Sequence, residues 1–187
     1  MVEVRRRHVI FYLMATPHRL PFDAPRALHR LHAAPHETVT CFFSRLPRAR
    51  LPQRLDYPGF GHGLSFLISG SGTLTNPQGE RCAVRAGCFF RFVNDQASQM
   101  EYHGGADFAE CGVYIQPQAV RLLTALGCLR AGPTVTTARD PALVVREFLA
   151  FHRLLRSGNP GNPAVFSALT LLFDLAEQQD TALAADG

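Results

Sequence analysis

The sequence contains no lysine, although its 187 residues carry a formal net charge of +4. The positive charge is therefore all arginine, and most of its excess lies within residues 1–54. Surfaces that bind nucleic acid usually combine lysine with arginine. Exclusive use of arginine, together with abundant alanine and proline, is more typical of a GC-rich genome than of a surface selected for phosphate contacts.

No apolar run reaches the length of a membrane span, so no membrane interaction is expected. The short run Val9–Ala15 follows three arginines at positions 5–7, which raises the question of a signal peptide. It is only about half as long as a typical signal-peptide core, lacks a small-residue cleavage site and is followed at once by Pro17. A buried N-terminal strand over His8–Ala15 fits the pattern better.

Cysteine is scarce, and its five positions are odd in number and irregularly spaced. Cys41, Cys82, Cys88 and Cys111 fall inside predicted strands, where a free cysteine packs as a small apolar residue. Cys82 and Cys88 lie close enough to meet across a hairpin, but both share the apolar side of their strands, which favours the core over a metal pair. The pattern indicates free thiols and a reducing, cytoplasmic compartment.

Motifs for the common catalytic chemistries are absent as well. The sequence has no glycine-rich phosphate loop, no Gly-x-Ser-x-Gly elbow and no two-cysteine zinc pair. A catalytic metal site usually has at least three protein ligands, whereas the strand-rich region offers two histidines, His62 and His103. Glu101, Glu110 or Cys88 would have to complete such a site, and packing in the core or at its rim is the simpler interpretation. We therefore predict no catalytic residue, no metal and no cofactor.

The stretch Gly63–Val93 has the clearest structural pattern. Large apolar residues occupy the even positions of Leu64–Ile68, and Ser65 and Ser69 occupy odd ones, as in a half-buried strand. Residues 76–79, Asn-Pro-Gln-Gly, fit a type I turn. Short strands separated by such turns are typical of an antiparallel sandwich or barrel.

Three regions are predicted: a barrel with an N-terminal arm over residues 1–115, a helical region over 116–180 and a frayed tail over 181–187. In the first region, Phe22–His32 has the signals of a short helix, with Asp23 as N-cap and Pro25 in the first turn. The predicted strands are Thr38–Ser44, Leu64–Ser69, Gly72–Thr75, Glu80–Arg85, Cys88–Val93, Gln99–Tyr102 and Phe108–Ile115.

The helical region contains three predicted helices. Ala119–Leu126 ends at Gly127, and two further helices begin at Pro141 and Pro163, each after an N-cap residue. The last two are joined by a short loop and should form an antiparallel hairpin. Their apolar stripes are broader than one sheet contact needs. Either they pack on the sheet and on each other, or the hairpin also forms a dimer interface through Val144, Phe148, Phe151 and Leu155.

Apolar side chains that share one side of their strands predict the interior of the barrel. A small barrel either fills its interior with side chains or leaves room for one ligand. A binding pocket is mostly apolar with a few polar groups that orient the ligand, and a filled core explains the same residues equally well. The candidate ligand-binding residues are His62, Phe66, Phe90, Phe92, Met100, Tyr102, Cys111 and Val113.

The run LSFLISGSG at Leu64–Gly72, a hairpin and then VRAGCFF at Val84–Phe90 resemble the N-terminal cupin-like domain of AraC/XylS-type transcription regulators. The resemblance covers residues 38–178. It implies a cupin-like antiparallel β-barrel, or jelly roll, followed by an antiparallel helical hairpin. Leu64 stands where metal-binding cupins carry the second histidine of a His-x-His pair beginning at His62, and this departure argues against a metal-dependent enzyme.

In the resembled family the barrel senses a small molecule, the hairpin helps to dimerise, and a separate C-terminal domain with two helix-turn-helix units binds DNA. No such domain is present here, so we expect an excised sensor domain that binds a small-molecule effector, forms a homodimer and reaches DNA only through the absent domain. It is not expected to be an enzyme. Two alternatives stay open: a stand-alone cupin enzyme, such as an isomerase or metal-dependent oxygenase, and a sugar- or protein-binding barrel unconnected with transcription.

Overall fold

The computed structural model describes residues 20–31, 37–57, 61–93, 96–129, 132–158 and 163–178. The strands are β1 (Ala27–Arg30), β2 (Thr38–Leu46), β3 (Gln53–Tyr57), β4 (His62–Ser69), β5 (Ser71–Thr75), β6 (Arg81–Arg85), β7 (Cys88–Phe92), β8 (Ser98–Tyr102), β9 (Phe108–Ile115) and β10 (Val135–Thr137). The helices are α1 (Pro117–Ala125), α2 (Pro141–Arg156) and α3 (Ala164–Glu177). A short 3₁₀ turn covers Arg48–Arg50.

The strands form two antiparallel sheets. The first has the order β1-β2-β9-β4-β7-β10, and the second has the order β3-β8-β5-β6. The chain crosses from the first sheet to the second at Gly70, between β4 and β5, where φ is +91°. A Cβ at Gly70 would lie 3.1 Å from the Cα of Phe108. Glycine is therefore required there for both its conformation and its size.

The strands predicted between Thr38 and Ile115 are confirmed, each within two residues of its predicted ends. The turn at residues 76–79 is also confirmed, because the Gly79 amide donates to the Asn76 carbonyl at 3.0 Å. The predicted helix over Phe22–His32 is wrong. Ala27–Arg30 is instead an edge strand that pairs with β2, and its alternate residues are buried, so sheet pairing overrides the local helix signals.

Two strands, β3 and β10, were not predicted from the sequence. The first has exposed residues at its centre, and the second is only three residues long, so neither has a clear apolar alternation. The predicted strand His8–Ala15 and the predicted tail 181–187 lie outside the described residues. All five cysteines are free thiols.

The first sheet is covered on both faces. One face packs against α1, α2 and α3 and forms what we call the helix-facing core, which contains Leu64, Phe66, Phe89, Cys111 and Val113 among others. The other face packs against the second sheet and forms the inter-sheet core. Its members are Leu67, Leu74, Val84, Cys88, Phe90, Met100, Tyr102 and Phe108.

The helices follow the predicted hairpin, and the Asp140 carboxylate accepts a hydrogen bond from the Leu143 amide at 3.0 Å, as its N-cap position predicts. In the described ranges, no helix is both long and apolar enough to cross a membrane. The residues predicted to form a dimer interface are buried in the helix-facing core of the same chain: Val144, Phe148, Phe151 and Leu155. The broad apolar stripe of α2 covers the first sheet of the same chain, so in this fold it is not available to a second copy.

Candidate functional site

A cavity of about 390 Å³ lies between the two sheets. Its apolar wall includes Phe42, Leu46, Leu55, Phe92 and Val93. Its polar groups come from Arg26, Ser44, Tyr57, Ser65, Gln96, Tyr102, Glu110 and Tyr114. A volume of roughly 300–1,000 Å³ with mostly apolar walls is typical of pockets for small molecules.

The cavity exists because small residues occupy the inter-sheet side of neighbouring strands. Ser65 in β4 is paired with Gly112 in β9, and Gly63 is paired with Tyr114. On the far side of β9, Gly112 is paired with Phe42 of β2. Large side chains at these small positions would fill the space, as they do further along the inter-sheet core.

Glu110 is the acidic residue of the cavity wall. Its side chain is buried, with 7% of the residue exposed, and its Oε2 atom has no hydrogen-bond partner among the described residues. Burial raises the pKa of Glu110 to about 8, and the charge of Arg26 opposes this shift. A buried carboxyl oxygen without a hydrogen-bond partner is costly, and burial of this kind is more common at binding sites than in a filled core.

Two tyrosines from the second sheet meet beside Glu110. The hydroxyl oxygens of Tyr57 and Tyr102 are 2.9 Å apart. Burial, and then the charge of Glu110, raise the pKa of Tyr57 to about 12 and that of Tyr102 well above its usual range. The Tyr57 ring also stacks on Phe92, with ring centroids 4.0 Å apart. The hydroxyls are therefore neutral hydrogen-bonding groups set in an aromatic wall.

Arg26 contributes the basic group of the cavity wall. Its residue is exposed, and its guanidinium lies 5.6 Å from the centre of the Phe42 ring. This distance is within the range of a cation–π contact. The positive charge is thus held at the solvent side of the cavity, where water screens it.

Three of the eight predicted ligand-binding residues line the cavity: Phe92, Tyr102 and Val113. The Val113 side chain belongs to the helix-facing core. Phe90 and Met100 lie in the inter-sheet core without lining the cavity. Phe66 and Cys111 face the helices, because the even positions of β4 and the odd positions of β9 point away from the second sheet.

His62 lies on the helix-facing side of β4. Its ring centroid is 5.6 Å from that of Phe173 in α3. Burial, with a further contribution from the nearby Arg91 guanidinium, lowers the pKa of His62 to about 4. Arg91 itself makes a 3.8 Å ion pair with Glu177. His62 is therefore part of the contact between sheet and helix and does not orient a ligand in the cavity.

From the sequence, Glu110 was predicted only as a possible metal ligand, and Tyr57, Arg26 and Phe42 were not predicted as site residues. A usable signal for Glu110 was present, since it is the charged residue in FAECGVYI, a strand otherwise made of apolar and small residues. Tyr57 was missed with its strand, β3. Within the described ranges, no group of three His, Cys, Asp or Glu residues could hold a metal ion.

The two facing antiparallel sheets with helices at the C-terminal end match solved structures. The fold is cupin-like. ToxT from Vibrio cholerae O395 superposes on this cupin-like chain with a TM-score of 0.50 at 8% identity, over 74% of this chain and 56% of that one. A cupin protein from Bacteroides fragilis has a TM-score of 0.36 at 17% identity, over 51% of this chain and 72% of that one.

The ToxT structure contains (E)-4-(8-methylnaphthalen-1-yl)but-3-enoic acid. A second ToxT structure, with bound unsaturated fatty acid, has a TM-score of 0.47 at 9% identity, over 72% of this chain and 51% of that one. This cupin-like chain thus spans just over half the length of the ToxT chains. No protein-family model matches the sequence, and no curated protein matches it either.

Replacing Gly112 with alanine should narrow the cavity. The new Cβ would lie 2.6 Å from Cζ of Phe42 and 2.8 Å from Oγ of Ser65. Cζ is the far end of the Phe42 ring, so we expect the ring to rotate away from the new Cβ. The free energy of unfolding should fall by about 1–3 kcal/mol, as overpacking usually costs. Chemical denaturation measures this loss. Gly104→Ala is the control, because its Cβ would meet no atom within 4 Å. Equal losses of stability in the two variants would contradict the close packing around Gly112.

Proposed function

We propose that this chain is the effector-binding domain of an AraC-type transcription regulator, and that a small molecule occupies the cavity between its sheets. The observation that carries the proposal is the cavity itself, with its apolar wall and its buried Glu110 carboxyl. ToxT, an AraC-family regulator, supports it through a similar fold and a bound naphthalenyl acid. In the proposed domain the cavity binds and performs no chemistry.

A neutral aromatic probe tests whether the cavity binds small molecules. Naphthylethanol has two fused rings for the aromatic wall and no charge. At a ligand concentration of about 100 times Kd it should stabilise the protein by about 2.7 kcal/mol, which raises Tm by roughly 5–10 °C for a chain of this size. Differential scanning fluorimetry measures the shift.

The matched variants for this test are at Ser44, which is half-buried in the cavity wall. Ser44→Leu places a larger apolar side chain in the cavity and should abolish the shift in Tm, whereas Ser44→Ala leaves the space open and should keep it. An equal shift in both variants would place the probe elsewhere on the protein and contradict the proposed site.

The regulatory half of the proposal has a separate test. The reading frame beyond Gly187 should encode two helix-turn-helix units, since the proposed domain acts on DNA only through them. A catalytic or unrelated segment there would contradict the assignment to a regulator while leaving binding in the cavity intact.

A further inference from the structure

The ionisable groups around the cavity are arranged with the acidic group inside and the basic group outside. Glu110 is buried, and the cavity wall holds no second acid among the described residues. Arg26, the basic group of the wall, is exposed, and the sequence contains no lysine. A ligand that reaches the interior therefore meets the Glu110 carboxyl group, whose Oε2 atom has no hydrogen-bond partner among the described residues.

Aromatic rings surround this carboxyl. Tyr57 and Phe92 stack on each other, and Phe42, Tyr102 and Tyr114 complete the aromatic part of the wall. Aromatic faces attract cations, most strongly where water is excluded. One cation of this chain already uses such a face, because the Arg26 guanidinium lies over Phe42.

We propose that the cavity binds an organic amine, whose ammonium group donates a hydrogen bond to the Glu110 carboxylate and whose apolar body lies against Phe92 and Tyr57. This inference rests on the proposed function, because it requires a small molecule in the cavity. A ligand carboxylate in the same place would face the Glu110 carboxyl, and a neutral alcohol would make a hydrogen bond without the added strength of charge.

Binding of the amine should release a proton. In the protein alone, burial keeps the Glu110 carboxyl protonated up to a pKa of about 8, while an alkylammonium stays charged to about pH 10. The complex pairs an ammonium with a carboxylate, so the Glu110 proton passes to solvent. The other groups that face Glu110 are Arg26, Tyr57 and Tyr102. Burial raises the pKa of both tyrosines, so neither hydroxyl loses a proton in this range.

The test compares three probes with one naphthalene body: naphthylethylamine, naphthylethanol and naphthylacetic acid. We expect the amine to bind at least about tenfold more tightly than the other two near pH 8. Its affinity should rise between about pH 6 and pH 8, by up to tenfold per pH unit, and then level off. Isothermal titration calorimetry in two buffers of different ionisation enthalpy measures both the affinity and the proton release.

Glu110→Gln keeps the size of the side chain and removes its charge. In this variant the amine should bind at least about tenfold more weakly and without the pH slope, while the alcohol changes by less than about threefold. If the variant does not fold, the pH dependence of the wild-type affinities for amine and alcohol still tests the inference, because that comparison needs no substitution.

The outcomes separate this inference from the proposed function. Tight binding of the amine with a pH slope that disappears in Glu110→Gln supports both. Equal or tighter binding of the alcohol or the acid overturns the amine inference and leaves ligand binding in the cavity standing. Failure of all three probes to bind at millimolar concentration overturns both.

Discussion

Glu110→Gln should raise the melting temperature of the ligand-free protein above neutral pH and remove most of its loss of stability between about pH 5 and pH 9. In the wild-type protein, burial raises the pKa of Glu110 from 4.5 to about 8. Between these two values the folded protein binds more protons at this position than the unfolded chain does. The free energy of unfolding must therefore fall as the pH rises through that interval.

The size of this effect follows from the shift in pKa. One pKa unit corresponds to about 1.4 kcal/mol, so the wild-type protein should lose up to roughly 5 kcal/mol across the interval, and no more above it. The amide of glutamine does not ionise and keeps the shape of the side chain. Thermal unfolding at a series of pH values, with the two proteins compared at each, measures the difference.

Comparing wild type with Glu110→Gln at each pH separates the contribution of Glu110 to stability from those of the other buried ionisable groups. The pKa of His62 is lowered to about 4, so its contribution changes below pH 7 and does so in both proteins. Glu101→Gln is the matched control, because Glu101 is an exposed residue on β8 that contacts Arg81 at the surface. Parallel stability curves for wild type and Glu110→Gln would show that the carboxyl is solvated in solution.

Phe148→Asp in α2 should unfold the protein. The Phe148 side chain is fully buried against the first sheet. Truncating a buried phenylalanine costs about 3–5 kcal/mol, and burying an unpaired carboxylate costs more. Domains are stable by only about 5–15 kcal/mol, so this change removes most or all of the stability. Loss of the near-UV circular dichroism signal and aggregation in sedimentation should follow.

Leu171→Asp is the matched control for this prediction. Leu171 is 41% exposed on α3, so the new charge stays in water and should change stability by less than about 0.5 kcal/mol. If Phe148→Asp instead gave a well-folded monomer from a dimeric wild type, the stripe of α2 would be a subunit interface and the packing seen here would be wrong. If Leu171→Asp alone converted a dimer to monomer, the interface would lie on α3.

Much of the architecture could be predicted because local chemistry specifies it. Apolar alternation predicted the strands from Thr38 to Ile115, and N-cap and proline residues predicted the starts of α2 and α3. The prediction failed where tertiary pairing outweighs local preference. Ala27–Arg30 became a strand because β2 offered an unpaired edge, and β3 has no apolar alternation of its own to reveal it.

The site was harder to predict than the fold. Apolar alternation along a strand shows which residues share one face of the sheet, but it does not show which element packs against that face. In β4 the large residues Leu64 and Phe66 face the helices, while Gly63 and Ser65 face the second sheet. Apolar alternation alone predicted that the large residues would line the pocket. The α2 residues predicted to form a dimer interface pack in the core of their own chain, and the apolar stripe alone does not reveal which surface covers it.

The sequence by itself determined the strand spacing, the turns and the helical hairpin, because each depends on neighbours only a few residues away. Only the tertiary structure decided which face of the first sheet encloses the cavity, that the Glu110 carboxyl is buried in its wall, and that Tyr57 and Tyr102 meet beside it. Those relations join strands that are distant in the chain, and they arise only when two sheets pack around the small residues Gly63, Ser65 and Gly112.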